Sequence, residues 1–358
     1  MGGELVSSPK FPVLKYPRGM SGENQDLRTT LERMQLLRPG EAFSAETLAG
    51  GVSSDILRID LPERSPVISF CFKRALAKLK VAADWRAPVE RNHAEVEWFR
   101  VAGELAPQSV PRILAEDEQS GAFAMEYLEP DRHPVWKSEL RDGNIHAETA
   151  TAVARCIAAI HAGTAHREDL AQRFANDHIF HPIRLEPYLL ATAERHPDCA
   201  ARMNYLVATT ASNKMALVHG DLSPKNILVA AQGPILLDAE CAWYGDPAFD
   251  LAFCLNHMLL KCLWRPQWRE RYLACYDALA SAYLAGVNWE PPARIEARVA
   301  HLLPGLFLGR VDGKSPAEYV TDENDKERVR RVARRFLLHP ADQLAAIRDA
   351  WNSELQRV

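Results

Sequence analysis

The sequence predicts an α+β protein of two units, a small strand-rich N-terminal one and a larger, mainly helical C-terminal one. Three observations predict it. The chain has 358 residues, more than one core usually serves at about 150 residues per domain. Up to about residue 125 the apolar runs are short and rich in β-branched and aromatic side chains, as strands are. After Glu129-Pro130 the texture changes to long Ala/Leu-rich helical patterns. The expected boundaries are a flexible tail over residues 1–25, an N-terminal unit over 26–127 and a C-terminal unit over 128–358.

Each element follows from local pattern. Residues 1–25 are rich in Gly, Ser, Pro and Lys and read as a loose tail. Thr29 and Glu32 have capping-box spacing ahead of a short helix with Leu31 and Met34, which Pro39-Gly40 ends. A strand–turn–strand pattern spans 48–61, with Gly50-Gly51-Val52-Ser53-Ser54 as its turn. Residues 67–72 form the next strand, closed by Lys73. A helix is expected from about Pro88 to Glu104, then strands near 111–114 and 122–125. The C-terminal unit should hold helices over 146–165, 247–263 and 268–284. One island interrupts them at 217–238, two short apolar strands around Gln232-Gly233-Pro234.

Composition excludes several classes. A net charge of -4 offers little counterion-release attraction to nucleic acid or to an anionic membrane. No run approaches the roughly 18 apolar residues of a bilayer span. The seven cysteines are odd in number and form no CxxC pair, so they read as reduced, structural thiols of a cytoplasmic protein. No apolar leader opens the chain, and Val6 stands where a myristoylation signal needs Ser or Thr. The oligomeric state leaves no mark in the sequence.

The island carries the chemistry. His219-Gly220-Asp221-Leu222-Ser223-Pro224-Lys225-Asn226 precedes its first strand, and Asp238-Ala239-Glu240 follows its second. Three carboxylates and an amide at one hairpin end are costly without a cation or a proton-transfer role. Mg²⁺ takes hard oxygen ligands, which Asn226 and Asp238 supply, with Glu240 as a further carboxylate. Asp221 is left to accept a proton from a substrate hydroxyl. Kinases use this spacing. With Gly220 in place of Arg, and Asp-Ala-Glu in place of Asp-Phe-Gly, the chain resembles the aminoglycoside phosphotransferase and choline kinase superfamily rather than protein kinases. The segment from Gly245-Asp246-Pro247 to Asp250-Leu251-Ala252 fits the same resemblance. It covers roughly residues 45 to 260. It implies a protein-kinase-like bilobal fold, with a small antiparallel-sheet lobe and a larger helical lobe, acting with ATP and Mg²⁺ on a small-molecule hydroxyl.

On the nucleotide side, Gly50, Gly51, Ser53 and Ser54 could let backbone N–H groups and hydroxyls approach phosphates. Lys73 holds the position of the phosphate-binding Lys, with Lys78 and Lys80 as alternatives. Its partner is Glu95 or Glu97, and the resemblance favours Glu95, leaving Glu97 solvated. Glu126 and Leu128 sit at the expected adenine-binding hinge. Gly309 to Ser315 mimics a P-loop ending but lacks one residue and a preceding strand. His161 reads as a packing histidine, Asp250 as a tie for the catalytic loop, and Asp246 as a helix cap before Pro247. The substrate is less marked. Lys73-Arg74-Ala75-Leu76, Trp85-Arg86-Ala87-Pro88 and the Trp243-Tyr244-Gly245 segment also resemble methylthioribose kinases, as do the paired Arg334 and Arg335. That implies a sugar or polyol acceptor, with Trp243, Arg334 and Arg335 as substrate residues. The alternatives are an aminoglycoside or amino-alcohol kinase, and a silent nucleotide-binding pseudokinase.

Overall fold

The computed structural model describes residues 14–16, 22–48, 54–76, 88 and 90–357. Gly50, Gly51, Ser53, Lys78, Lys80, Trp85 and Arg86 lie outside them. The chain divides into two compact units: Met1–Val96 with Arg112–Tyr127, and Glu97–Pro111 with Leu128–Val358. The second unit thus takes 97–111 as well, a segment the sequence reading placed in the first.

The first unit is a six-stranded antiparallel sheet and a helix. Its strands are β1 (Leu14–Tyr16), β2 (Phe43–Thr47), β3 (Ser54–Leu61), β4 (Ile68–Ala75), β5 (Ile113–Asp117) and β6 (Ala122–Glu126), in spatial order β1-β2-β3-β4-β6-β5. Helix α1 (Gly22–Arg33) lays Leu27 and Leu31 on one core with Phe43, Ile59, Phe70 and Phe72. Side chains alternate along β4, so Phe70 and Phe72 serve that core while Cys71 and Lys73 point to the opposite face. Three expectations change here. Residues 14–16 are a strand paired to β2, not part of a loose tail. Thr29 lies inside α1, where its hydroxyl donates to the Gln25 carbonyl at 2.8 Å instead of capping a helix start. Lys73 does not close its strand either; β4 runs two residues further because its pairing with β3 extends from Ser54↔Ala75 to Leu61↔Ile68.

Helix α2 (Arg91–Leu105) begins in the first unit and ends in the second. The second unit continues with α3 (Trp136–Asp142), α4 (Ala147–Thr164), α5 (Glu168–Arg173), α6 (Asp177–Phe180), a π-helical segment (His181–Leu190), α7 (Ala191–Arg195) and α8 (Ala200–Ser212). Strands β7 (Ala216–Val218), β8 (Ile227–Ala230), β9 (Gly233–Leu236) and β10 (Trp243–Gly245) come next. Helices α9 (Ala248–Trp264), α10 (Arg269–Gly286), α11 (Pro292–Asp312), α12 (Glu323–Leu338) and α13 (Leu344–Leu355) complete it. The hairpin β8–β9 is the predicted island. The pairing of β10 with β7 is an addition. Gly245 fits only because it lacks a Cβ, which would overlap the Trp243 ring. All seven cysteines are buried and unbridged. Gly309 lies inside α11 against the Tyr188 carbonyl, a packing site and not a phosphate loop. Among the described residues no helix is long and apolar enough to cross a membrane.

Candidate active site

In the first unit β4 and α2 bring Lys73 and Glu95 together. The Lys73 ammonium donates to Glu95 Oε2 at 2.6 Å, with both side chains almost wholly buried. Glu97, just over half a turn on, faces elsewhere: it pairs with Arg100 and Arg173. The expectation that it is solvated gives way to this double ion pair, which holds its carboxyl below the ordinary range against the opposing effect of burial. Of the glycine turn, only Ser54 is described. It opens β3 and is buried, and its Oγ has no hydrogen-bond partner among the described residues. Glu126 ends β6 with Oε1 accepting the Arg112 N–H at 2.9 Å. The division between units falls just after it, between Tyr127 and Leu128.

In the second unit the loop between β7 and β8 is built from α9. Asp250, fully buried in the first turn of that helix, accepts the His219 N–H on Oδ2 at 2.7 Å and the Gly220 N–H on Oδ1 at 2.9 Å. His161 supports the same carboxylate at 3.2 Å and turns its other nitrogen to the Tyr283 hydroxyl at 2.7 Å. His219 donates Nε2–H to the Leu237 carbonyl and accepts the Asp221 N–H on Nδ1. That pattern requires a neutral ring, and burial pushes its pKa down accordingly. Gly220 has φ +80°, and a Cβ there would stand 2.5 Å from the Cys241 carbonyl. Only glycine meets both demands. Asp246 caps α9 through the Ala248 N–H at 3.0 Å and is bridged by Arg298.

Asp221 is buried, yet it is not neutral. Burial alone would raise its carboxyl. Arg184 and Lys225, each 3.0 Å from Oδ2, overcome that and hold it below the usual carboxylate range. The same attraction raises both cations above their ordinary values. Arg184 also donates Nε–H to the Gly220 carbonyl. These two cations are missing from the sequence reading. Lys225 lay inside the quoted motif, whereas Arg184 comes from the π-helical segment, a departure from regular helix that often accompanies function. Asn226 donates Nδ2–H to the Asp221 carbonyl at 3.0 Å, which leaves Oδ1 as its ligand atom. Asp238 follows β9 at φ +65°, with Oδ2 4.0 Å from Lys225 Nζ. Glu240 is buried close enough for its charge to act on Arg184. An amide oxygen and carboxylates on these adjoining loops are the hard donors that suit Mg²⁺.

The three residues singled out for substrate fall elsewhere. Trp243 is fully buried, stacked on Phe180 at 4.2 Å, with its indole N–H on Asp177 Oδ1. It is a core residue. Arg334 is exposed on α12 and pairs with Asp198 at 2.7 Å, while Arg335 lies over Phe336. Their partners lie there and not around Asp221.

Comparison with known proteins agrees with this geometry. The model of the phosphotransferase enzyme family matches residues 44–285. A methylthioribose kinase of Yersinia enterocolitica is 24% identical over 256 residues, 63% of this chain and 62% of the relative. The chain therefore spans less than two thirds of that relative's length. Among solved structures, an ethanolamine kinase of Plasmodium vivax superposes with a TM-score of 0.55 at 11% identity, covering 90% of each chain. Amicoumacin kinase hAmiN, in complex with AMP-PNP, Ca²⁺ and Ami, gives 0.53 at 13% identity, covering 90% of this chain and 98% of its own. The architecture is that of the protein-kinase-like phosphotransferases.

Proposed function

This chain belongs to the phosphotransferase enzyme family, and from that premise we propose that it transfers the γ-phosphoryl group of ATP to a hydroxyl of a small, sugar-like or polyol-like molecule. The observation that carries the reading is Asp221: a buried carboxylate kept ionised by Arg184 and Lys225 in a loop that also bears Asn226. The acceptor hydroxyl donates its hydrogen bond to that carboxylate. Its oxygen forms the new bond to γ-phosphorus as the bond to the β–γ bridging oxygen breaks, ADP leaves, and the proton passes to Asp221. A carboxylate of depressed pKa is a weak base, which suits a loose transition state in which the proton moves late. Positioning is then its main contribution. Asn226 and Asp238, with Glu240 behind them, would hold Mg²⁺, which supplies charge neutralisation at the phosphates. Lys73, fixed by Glu95, is assigned to the phosphates, and Glu126 and Leu128 to the adenine through their backbone groups. The methylthioribose kinase relative supports a sugar-like acceptor over an aminoglycoside or amino alcohol. The retained Lys, Asp, Asn and Asp set speaks against a silent pseudokinase.

The test is ADP release from Mg-ATP with a panel of sugars, polyols, sugar acids, amino alcohols and aminoglycosides. Asp221→Asn should lower kcat by roughly 10²- to 10⁴-fold, the scale of a lost general base, with little change in nucleotide affinity. Near-wild-type turnover in that variant would overturn the assignment.

A further inference from the structure

The second unit holds a group of buried cations that the proposed chemistry does not use. One of them, Lys261, lies on a stripe of α9 that begins beside the loop of Asp221. Asp250, in the first turn of that helix, anchors the loop of Asp221. Phe253 lies beneath the Arg184 guanidinium at 5.7 Å, and Arg184 in turn pairs with Asp221. His257 meets the Phe253 ring edge-on at 5.6 Å. Lys261 follows one turn later, so Phe253, His257 and Lys261 at i, i+4 and i+8 share a face that starts beside Asp221.

Lys261 is only 1% exposed. Its ammonium rests over the rings of Trp264 and Tyr319, at 5.1 and 5.2 Å, and among the described residues no carboxylate stands within ion-pair distance of it. Glu318, the carboxylate whose charge acts on it, is engaged by Lys137. Arg310 is also buried. It gives NH1 to the Ser315 carbonyl at 2.6 Å, while its Nε has no hydrogen-bond partner among the described residues. The Tyr319 hydroxyl is likewise buried and, among the described residues, unpartnered. An ammonium, a guanidinium N–H and a phenol, all donors, are thus left without acceptors beside one another, with three cations to a single carboxylate. Cations are seldom buried unless paired, and donors left unmet indicate a missing acceptor. Burial and the charges of Lys137 and Arg310 push Lys261 down to about 7, with Glu318 and Cys254 acting the other way. His257, buried and facing Arg310, Lys261, Lys225 and Lys137, is pushed well below its ordinary value and stays neutral.

We propose that the phosphate acceptor is an anion, whose carboxylate or phosphate group is received by Lys261, Arg310 and Tyr319 while its hydroxyl lies at Asp221. The inference rests on the kinase reading above and names the substrate class of that site. Part of the contact is a charge-assisted hydrogen bond, the strong kind, and a neutral polyol would leave the donors unmet.

Three probes that share a carbon chain separate the possibilities: sorbitol, gluconate and sorbitol 6-phosphate, each titrated calorimetrically into the whole protein holding a non-hydrolysable ATP analogue with Mg²⁺. The expected result is binding of gluconate or sorbitol 6-phosphate at least about tenfold tighter than sorbitol, a charge-pair contribution. Whichever anion binds tighter identifies the group. Lys261→Met should erase the preference without altering the analogue's own affinity, and the conservative Tyr319→Phe should reduce it. In the wild type the preference should fall as pH rises through 7 to about 8.5, because the ammonium that receives the anion is lost. Equal binding of all three probes, or a preference that survives Lys261→Met and the pH change, would overturn the inference. If the nucleotide analogue binds while the anions show no preference, only the anionic acceptor fails. If the analogue itself fails to bind, the kinase reading is what fails.

Discussion

At the scale of single residues, the balance at Asp221 decides the site's chemistry. Two cations meet one oxygen, and their combined attraction exceeds the burial penalty. The sign of the pH dependence follows. A carboxyl depressed in the folded protein is ionised from below the ordinary range upward, so kcat at saturating acceptor, the step that needs the carboxylate, should be flat from about pH 5 to 8 and fall only in more acid solution. Removing one cation lets burial regain ground. Arg184→Met should therefore move the acid limb of kcat/KM upward by about one pH unit or more, the scale set by an opposite charge at this distance. Lys225→Met should shift it in the same direction. A pH–rate profile checks both, and an unmoved acid limb in both variants would show that Asp221 is not the titrating group. Gly220 shows the same economy on the backbone side. Any side chain there would drive its Cβ into the Cys241 carbonyl, and the guanidinium partner of Asp221 comes from Arg184.

At the scale of elements, what could be read in advance was whatever depends on local pattern. The β8–β9 hairpin, the helices at 147–164, 248–264 and 269–286, and the Asp221, Asn226 and Asp238 spacing are all local in sequence. What depends on register or on distant packing was hidden. Lys73 reads as a strand end because Arg74 is polar, yet β4 continues because β3 offers it partners as far as Ala75. Trp243 was read as a substrate residue from its place in a motif, whereas a three-residue strand buries it against α6. Arg184 leaves no local signal, since only the folding of the π-helical segment beneath Gly220 brings it to Asp221. The pair formed by β4 and α2 is the element-scale test. Glu95→Ala removes the carboxylate 2.6 Å from the buried Lys73 ammonium and should destabilise the protein by about 3–5 kcal/mol. Lys73→Met combined with Glu95→Leu should recover most of that in urea denaturation, since two apolar side chains of similar volume replace the pair. The nucleotide KM should stay high in the double variant, because stability is regained without the phosphate-binding cation. Recovery of both together would assign the pair a purely structural role.

At the scale of the whole molecule, the net charge of -4 conceals a local excess of the opposite sign. Lys261, Arg310 and Arg184 are buried in the same unit whose hairpin end gathers Asp221, Asp238 and Glu240. Carboxylates crowded at φ-strained positions such as Asp238 repel one another until cations meet them. Lys225 supplies one such charge, and a divalent ion carried in by the nucleotide would supply more. Binding should therefore be visible as stability of the whole chain. A ligand at 100 times its Kd stabilises the folded state by about 2.7 kcal/mol, which for a chain of this size raises Tm by roughly 3–5 °C. Because the chain has two units and its unfolding need not be a single step, the shift between liganded and unliganded Tm is the quantity to compare. Asp238→Ala relieves the crowding of acids but gives up the tolerance of Asp for a left-handed backbone position, two effects of opposite sign, so its unliganded Tm should stay close to that of the wild type. Its shift with Mg-ATP should nevertheless collapse to the small value that the wild type shows with ATP and EDTA. An Asp238→Ala protein that keeps the full Mg-ATP shift would remove Asp238 from the metal site and leave the metal to Asn226 and Glu240.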